Sequence, residues 1–593
     1  MSTQTIQSQD IRVADVFQSF YVVPDYQREY VWGTDQVEQL LTDIYMEITG
    51  SSADNVPEYF IGSIVVCPGD KGVFDLIDGQ QRMTTLFVTL CAIRDRFKSL
   101  NSTPPGAIDG QIAATSTDAS GNDQFRYRLD LQYEDSGDVL VRLATSGETA
   151  APGGTRSIAN ILNAYQVALS FMRREFGDDV AKLRGYYGYL TNKVKLIRIQ
   201  TENVAKALKI FETINDRGVG LDAMDLLKNL LFMKASHEKF EELKRTWKEM
   251  QDAIYAMGEK PLRFLRYFIF SRYDVDLLRE DEIYTWFSKH ETVVNYGAAP
   301  VEFAKELLAA AMAYRCFLDG CDQRGKKNRY LTNLQLLGGK AARQHLILLL
   351  AGRHLPEALF DQLAKGVEDL FFVYVVTREA TRDFEKNFAR WSGALRKVRS
   401  EDDLGAFLAR TFASSKASLA QRFDDAVLHL GVGAVQQYRL RYILAKLTQQ
   451  IELDAYGETD GTKWLDRYTD SSYEIEHIFP QNPSPEAASE FGAVSDATVA
   501  GRLGNLLLVE KSINASLGNR PFSHKRTVYP KSQLLLTRSI SERLRVGVNT
   551  KIDAAVSGIE PFATWNQASI SKRQEMLLQM ARAIWCVSPD AGG

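Results

Sequence analysis

The sequence predicts an α+β chain that is mostly α, and three observations carry that expectation. Near the start, the apolar runs Tyr59 to Val66 and Val73 to Ile77 flank the turn residues Pro68-Gly69-Asp70-Lys71-Gly72, and the second run passes through Asp78-Gly79 straight into a helical pattern. From about Ala235 to Glu452 the periodicity is helical almost throughout. Beyond it, Tyr473 to Ile478 and Leu506 to Val509 read as strands, with a helix beginning near Ser512, in ββα order. The chain therefore divides into an N-terminal α/β domain over 1–235, a helical spacer or assembly region over 236–434 and a ββα domain over 435–593.

Composition narrows the class. With 45% hydrophobic and 25% charged residues the chain is of ordinary globular type, and 593 residues exceed what one core can hold. No stretch approaches the roughly 20 unbroken apolar residues of a membrane span, and the polar start MSTQTIQSQD is unlike a signal peptide, so a cytoplasmic chain with no membrane partner is expected. Cys67, Cys91, Cys316, Cys321 and Cys586 form no C-x-x-C pair, which argues against a disulfide framework or a structural zinc. With only seven histidines, a metal site must lean on carboxylate, amide or water oxygens, which favours Mg2+ or Mn2+. The net charge of −4 hides an acid-free stripe from Lys511 to Ser541 that carries Lys511, Arg520, Lys525, Arg526, Lys531 and Arg538. Such a stripe can hold a polyanion; taken alone it is equally a solvated basic face.

Taken in order, Ile11, Val13, Val16 and Phe17 have mixed spacing, and Tyr21 to Trp32 reads as extended because Pro24 keeps its predecessor out of the helical region among β-formers. Val37, Leu40, Leu41 and Ile44 place a helix from about Thr34, and Leu86, Phe87, Leu90, Ile93 and Phe97 place another directly after Arg82. Residues 101–125 and 144–157, rich in Ser, Thr, Gly, Ala and Pro, are expected to be mobile insertions. A helix from about Ile158 to Phe176 and a strand from Val194 to Ile199 follow. Gly218 then suits a helix stop, and Asp222 with Asp225 suits the start of the helix holding Met224 to Asn229. In the helical region His237, His290, His345, His354 and His429 are read as packing or surface residues, and Gln437 to Leu444 as the amphipathic helix leading into the last domain.

Three clusters could carry chemistry. Strand, glycine turn and helix start at Asp78-Gly79-Gln80-Gln81-Arg82 would aim free N–H groups and the positive end of a helix dipole at an anion, with amide donors and a guanidinium fork for phosphate oxygens. The competing reading is a structural Asp-Gly turn. Gln27 and Arg28, set between aromatic residues, and the Glu212, Asn215, Asp216 and Arg217 group between two helices could complete that site or be ordinary surface and capping residues.

The third cluster joins Glu476-His477 to Asn505 and Asn514. Hydrolysing a phosphodiester needs an activated water and a cation on the leaving oxygen. Glu476 and Asn514 suit the metal, His477 suits the general base because a neutral imidazole near pH 7 needs no large pKa shift, and Asn505 suits holding the histidine loop. On Glu-His alone a capped strand end is the simpler reading. The basic stripe, with Phe522 and Tyr529 among Arg520, Lys525, Arg526 and Lys531, shifts the balance toward a phosphate backbone.

Tyr26-Gln27-Arg28 with Trp32, Phe60-Ile61-Gly62-Ser63, Ile77 through Leu86, and Phe211-Glu212 through Asn215, Arg217-Gly218 and Asp225 to Asn229 resemble the N-terminal domain of GmrSD-type restriction endonucleases. That domain is similar to the ParB and sulfiredoxin nucleotide-binding fold. Glu476 to Pro480, Gly504-Asn505-Leu506, Asn514 and Pro521-Phe522 with Lys525 resemble the family's C-terminal HNH nuclease domain, a ββα-metal fold. The resemblance implies a single-chain, type IV, modification-dependent enzyme of phage defence: nucleotide binding or NTPase activity upstream, cleavage of double-stranded, modified phage DNA downstream. It makes Gln27, Arg28, Asp78, Gly79, Gln80, Gln81, Arg82, Thr84, Asn215 and Arg217 nucleotide residues and His477 and Asn505 catalytic. It also makes Glu476 and Asn514 metal ligands and Arg520, Lys525, Arg526 and Lys531 DNA contacts. Many HNH sites close with a histidine where this chain has Asn514. GTP, UTP, ATP and CTP stay open as the nucleotide, a homodimer as one assembly, and a nucleotide-controlled DNA-binding sensor with an inert nuclease site as the alternative function.

Overall fold

A computed structural model describes residues 7–24, 27, 29–49, 57–69, 72–117, 121–132, 138–147, 156–202, 207, 223–339, 342–494, 498–544, 547 and 550–588. Two compact units divide the chain: Met1–Lys244 with Asn295–Val301, and Arg245–Val294 with Glu302–Gly593. Both mix helices with small sheets, helix dominating, as an α+β chain requires. Among the described residues no helix is long and apolar enough to cross a membrane.

The first unit is built on a six-stranded mixed sheet of order β1-β8-β3-β4-β2-β7. Its strands are β1 (Gln7–Arg12), β2 (Phe20–Val23), β3 (Tyr59–Pro68), β4 (Val73–Asp78), β7 (Leu129–Leu131) and β8 (Val194–Gln200). β3 and β4 form the expected antiparallel hairpin, closed by the Gly69 N–H on the Val73 carbonyl at 2.8 Å. β2 lies parallel to both its neighbours, and β3 parallel to β8. Helices α1 (Thr34–Thr49), α2 (Gln80–Ser99), α3 (Arg156–Phe176) and α4 (Val180–Asn192) complete the unit. α2 is buried from Met83 to Arg94 on every side, the Thr85 and Thr89 hydroxyls bonding back to the helix's own carbonyls and Arg94 to the Leu143 carbonyl, and it packs along α3.

One expectation fails here. The described part of 101–125 is ordered: a short helix at Ile108–Ile112 leads into the hairpin of β5 (Ala113–Thr117) and β6 (Asp123–Tyr127). Ile108 and Ile112, one helical turn apart, both enter the core, and the Tyr187 hydroxyl donates to Gln111 Oε1 at 2.9 Å. Two apolar anchors and a buried amide outweigh the polar composition. In 144–157, Ala144 and Thr145 end a helix begun at Val139, whose carbonyls at Leu143 and Ala144 accept from Arg94; residues 148–155 lie outside those described. Phe211 to Asp222, with its polar cluster and caps, lies outside them as well.

In the second unit, α5 (His345–Ala351) is buried throughout, and α6 (Glu357–Val376) and α7 (Gln437–Tyr456) are joined at Glu368. That fully buried carboxylate accepts from Asn333 Nδ2 at 3.1 Å and from Tyr442 Oη and Lys446 Nζ at 2.7 Å each. The segment set apart in sequence as a spacer shares a core with the chain's last helix, α10 (Gln567–Ile584): Phe372 stacks on Trp585 at 3.6 Å, and Gln574 donates to the Val427 carbonyl. His345 packs edge-on against Phe371, His290 stacks on Trp286, and His354 sits between the carbonyls of Ala351 and Val398.

Candidate functional site

The ββα element forms as its pattern predicts. β9 (Tyr473–His477) pairs antiparallel with β10 (Leu506–Glu510), placing His477 opposite Leu506, Glu476 opposite Leu507 and Glu474 opposite Val509. Leu506 to Val509 are all buried, so β10 shows a continuous apolar run where a half-exposed strand would alternate. α8 (Lys511–Leu517) follows β10 directly and carries Asn514; α9 (Phe522–Val528) carries Lys525.

Asn505 fixes the chain beyond His477. Its Oδ1 accepts from the Phe479 N–H at 2.8 Å and Trp565 Nε1 at 3.0 Å, while Nδ2 donates to the carbonyls of Phe479 and Ala500 at 2.8 Å each. The residue is wholly buried with its amide fully engaged, so it shapes the loop and has no group left for the reacting atoms. Behind it, α10 clasps the Gly504 turn. Gln574 Oε1 accepts the Gly504 N–H at 2.5 Å, and Arg573 Nη1 donates to the carbonyls of Gly504 and Leu506 at 2.8 and 2.7 Å. A Cβ at Gly504 would lie 2.3 Å from the Ile570 carbonyl oxygen. Burial pushes the Arg573 guanidinium down to about 10.

Glu476 is buried and engaged. Lys525 Nζ reaches its Oε1 at 2.5 Å and the His477 carbonyl at 2.8 Å, and the Tyr529 hydroxyl lies 3.5 Å from the same Oε1. Burial raises the Glu476 carboxyl and lowers the Lys525 ammonium, each opposed by the other's charge. Lys525, expected on the DNA-facing stripe, is instead in the core, where its ammonium is paired with the buried Glu476 carboxylate on β9. Arg520, Arg526 and Lys531 are exposed as expected of that stripe, Arg526 also donating to the carbonyls of Ser541 and Ala563.

His477 is half-buried, and burial first, then the Lys525 charge, holds its pKa below the ordinary imidazole value. Its Nε2 is a buried atom with no hydrogen-bond partner, and so is Asn514 Oδ1. Asn514 Nδ2 donates to Glu474 Oε2 at 2.7 Å. Glu474 sits one pleat from Glu476 and so faces the same side of β9. Among the described residues no three His, Cys, Asp or Glu side chains come together as a metal site. The oxygens a cation here would have to use are Asn514 Oδ1, which has no partner, and the carboxylates of Glu474, bonded to Asn514, and Glu476, paired with Lys525. That is an oxygen donor set, and it fits a hard cation.

In the first unit, Gly79 starts α2 at φ +86°, and a Cβ there would lie 2.6 Å from Ile64 Cγ2. Gly79 at the N-cap has no side chain to offer the first N–H groups of α2, a helix start of the kind that suits an anion. Asp78 is raised by burial, against the pull of Arg82. Arg82 Nη1 donates to the Ile61 carbonyl at 3.2 Å and crosses Gly62, where a Cβ would lie 2.0 Å from it. Gln80 Oε1 and Gln27 Nε2 are buried without partners, and Thr84 is buried in the second turn of α2. Gln81, expected to meet a nucleotide, is spent on the chain: Oε1 accepts from the N–H groups of Val31 and Trp32, and Nε2 donates to the Glu29 carbonyl at 3.0 Å. Arg28, Asn215 and Arg217 lie outside the described residues.

Residues 6–232 match the family model of the GmrSD restriction endonuclease N-terminal domain, and residues 419–580 that of the GmrSD restriction endonucleases' C-terminal domain. The chain belongs to the GmrSD restriction endonuclease family. No curated protein matches it. As a GmrSD protein it is a nuclease of phage defence that acts on DNA. The GmrSD C-terminal match runs through β9, β10 and most of α10, and so includes Glu474, Trp565, Arg573 and Gln574, to which no role was assigned from the sequence, and Tyr529, expected beside a phosphate backbone and found buried against Glu476. Their roles arise from contacts between distant segments, and only Glu474, at strand period from Glu476, carried a local signal.

Proposed function

We propose that this chain is an NTP-regulated, divalent-metal-dependent endonuclease of HNH type that acts on modified phage DNA or senses the modification. The observations that support the reading are two buried side-chain atoms without a hydrogen-bond partner, the ring nitrogen His477 Nε2 on β9 and the amide oxygen Asn514 Oδ1 on α8. Glu476 and Asn514 would hold Mg2+ or Mn2+, and such an ion supplies charge neutralisation at the leaving oxygen. His477, kept neutral by burial, takes the proton from the attacking water at Nε2, a ring nitrogen without a hydrogen-bond partner. Asn505 holds the backbone on either side of that step, and Lys525 fixes Glu476 and the His477 carbonyl. Arg520, Arg526 and Lys531 receive the DNA backbone. Upstream, the N-terminus of α2 with Gln27, Asp78, Gln80, Arg82 and Thr84 takes the triphosphate, together with Arg28, Asn215 and Arg217; Gln81 holds the segment beside it.

The test is cleavage of modified and plain phage DNA by the purified chain with Mg2+, with and without each nucleoside triphosphate. His477→Ala should abolish cutting, a loss of at least about a hundredfold, while leaving the melting temperature and DNA binding in place. Persistent cutting by that variant removes His477 from the chemistry. One observation favours the alternative, a nucleotide-controlled DNA-binding sensor: Glu476 is already paired with Lys525. Wild-type chain that binds modified DNA under nucleotide control and never cuts it would decide for the sensor.

A further inference from the structure

An amide side chain has two ends of nearly equal shape, and only the oxygen end can ligate a hard cation. Something must therefore choose which end of Asn514 points where. In this structure the choice is made by Glu474, whose Oε2 accepts from Asn514 Nδ2 at 2.7 Å. A carboxylate only accepts, so the contact admits the amide nitrogen and turns away the oxygen. Oδ1 is accordingly the end left buried and without a partner. Glu474 is held in turn by the β9–β10 pairing, opposite Val509, and α8 with Asn514 begins two residues after Val509.

We infer that Glu474 is a positioning residue: it sorts the Asn514 amide so that its oxygen is presented to the divalent cation. The inference rests on the proposed role of Asn514 as a ligand, and it adds a carboxylate outside the Glu476-His477 pair to the working parts of the site. Its chemistry is that of an outer partner that orients a ligand, the kind whose loss weakens metal binding by about 10–100-fold while the ligands themselves remain.

The experiment uses the full chain and Mn2+ alone, with free Mn2+ read by electron paramagnetic resonance, beside cleavage as a function of Mg2+ concentration. Glu474→Gln can offer either amide end to Asn514 and should weaken Mn2+ binding by about 10–100-fold. The half-saturating Mg2+ for cleavage should rise in step, with the rate at saturating cation close to wild type. Glu474→Asp, still an obligate acceptor, should recover part of the affinity. In an Asn514→Asp background, where both oxygens are equivalent and nothing needs sorting, adding Glu474→Gln should leave Mn2+ affinity unchanged or raise it. Wild-type Mn2+ affinity in Glu474→Gln overturns the inference. So does an equal loss in the Asn514→Asp background, which would make Glu474 a ligand itself. If instead Asn514→Ala binds Mn2+ as the wild type does, the ligand role of Asn514 is what fails, a separate result from a separate variant.

Discussion

Asn505 shows how much one buried amide can organise. Two donors and two acceptors are all used, on Phe479, Ala500 and Trp565, so deleting the side chain strands four groups away from water. At about 1–3 kcal/mol for each unsatisfied group, and allowing for relaxation, Asn505→Ala should cost about 3–5 kcal/mol in urea denaturation. Asn505→Asp, which sets a second carboxyl oxygen against the Phe479 and Ala500 carbonyls in a buried site, should cost at least as much. A loss below about 1 kcal/mol for the alanine variant would mean that the loop after His477 is held by other contacts. Lys525 makes the complementary point. A residue that composition assigns to a basic surface is wholly buried because its stem and ammonium complete a core around Glu476 and Tyr529. Removing one member of such a pair leaves the other buried and uncompensated, the costly case for buried charge.

At the scale of the element, the start of α2 is where local sequence and function meet. Gly79 adopts φ +86°, and any side chain there would press on Ile64 and the Ser63 carbonyl. Gly79→Ala should therefore cost about 2–4 kcal/mol, from left-handed backbone strain plus the clash, seen as a lower melting temperature. It should also weaken nucleotide binding, because the helix start is displaced; an unchanged melting temperature would show that the turn can be rebuilt without the glycine. Elements of this kind were legible in the sequence: the β3–β4 hairpin, α1, α2, β8 and the β9, β10, α8 order all carry period, turn or Gly signals within a short window. What lay hidden depends on distance along the chain. Parallel pairing of β2 with β4 and β7 has no local signature, and Arg573 grips Gly504 from 69 residues away. The ordering of 108–117 escaped because only Ile108 and Ile112 announce it amid polar residues. At the site the residue types were legible, whereas their commitments were not: Gln81 to the Glu29–Trp32 segment, Lys525 to Glu476, Glu474 to Asn514.

At the scale of the whole molecule, the GmrSD N-terminal match lies within the first unit and the C-terminal match within the second, whose core the intervening helices also build. The second unit's stability is thereby tied also to a group outside the proposed site. His345 on α5 is wholly buried against Phe371, and burial, reinforced by the Arg343 charge, holds its pKa down from 6.5 to about 3. The folded imidazole thus stays neutral where the unfolded chain's would take up a proton. Above the ordinary value of 6.5 neither state is charged and the full stability is present; as pH falls below it, the unfolded state binds the extra proton and stability drops toward the folded value. At about 1.4 kcal/mol for each pH unit, His345 alone should remove about 2 kcal/mol by roughly pH 5. His345→Leu keeps the volume and cannot titrate, so the difference in unfolding free energy between wild type and variant should shift by that amount over this window. A pH-independent difference would mean that the imidazole is accessible to protons in the folded chain, and that α5 opens far more readily than its packing suggests.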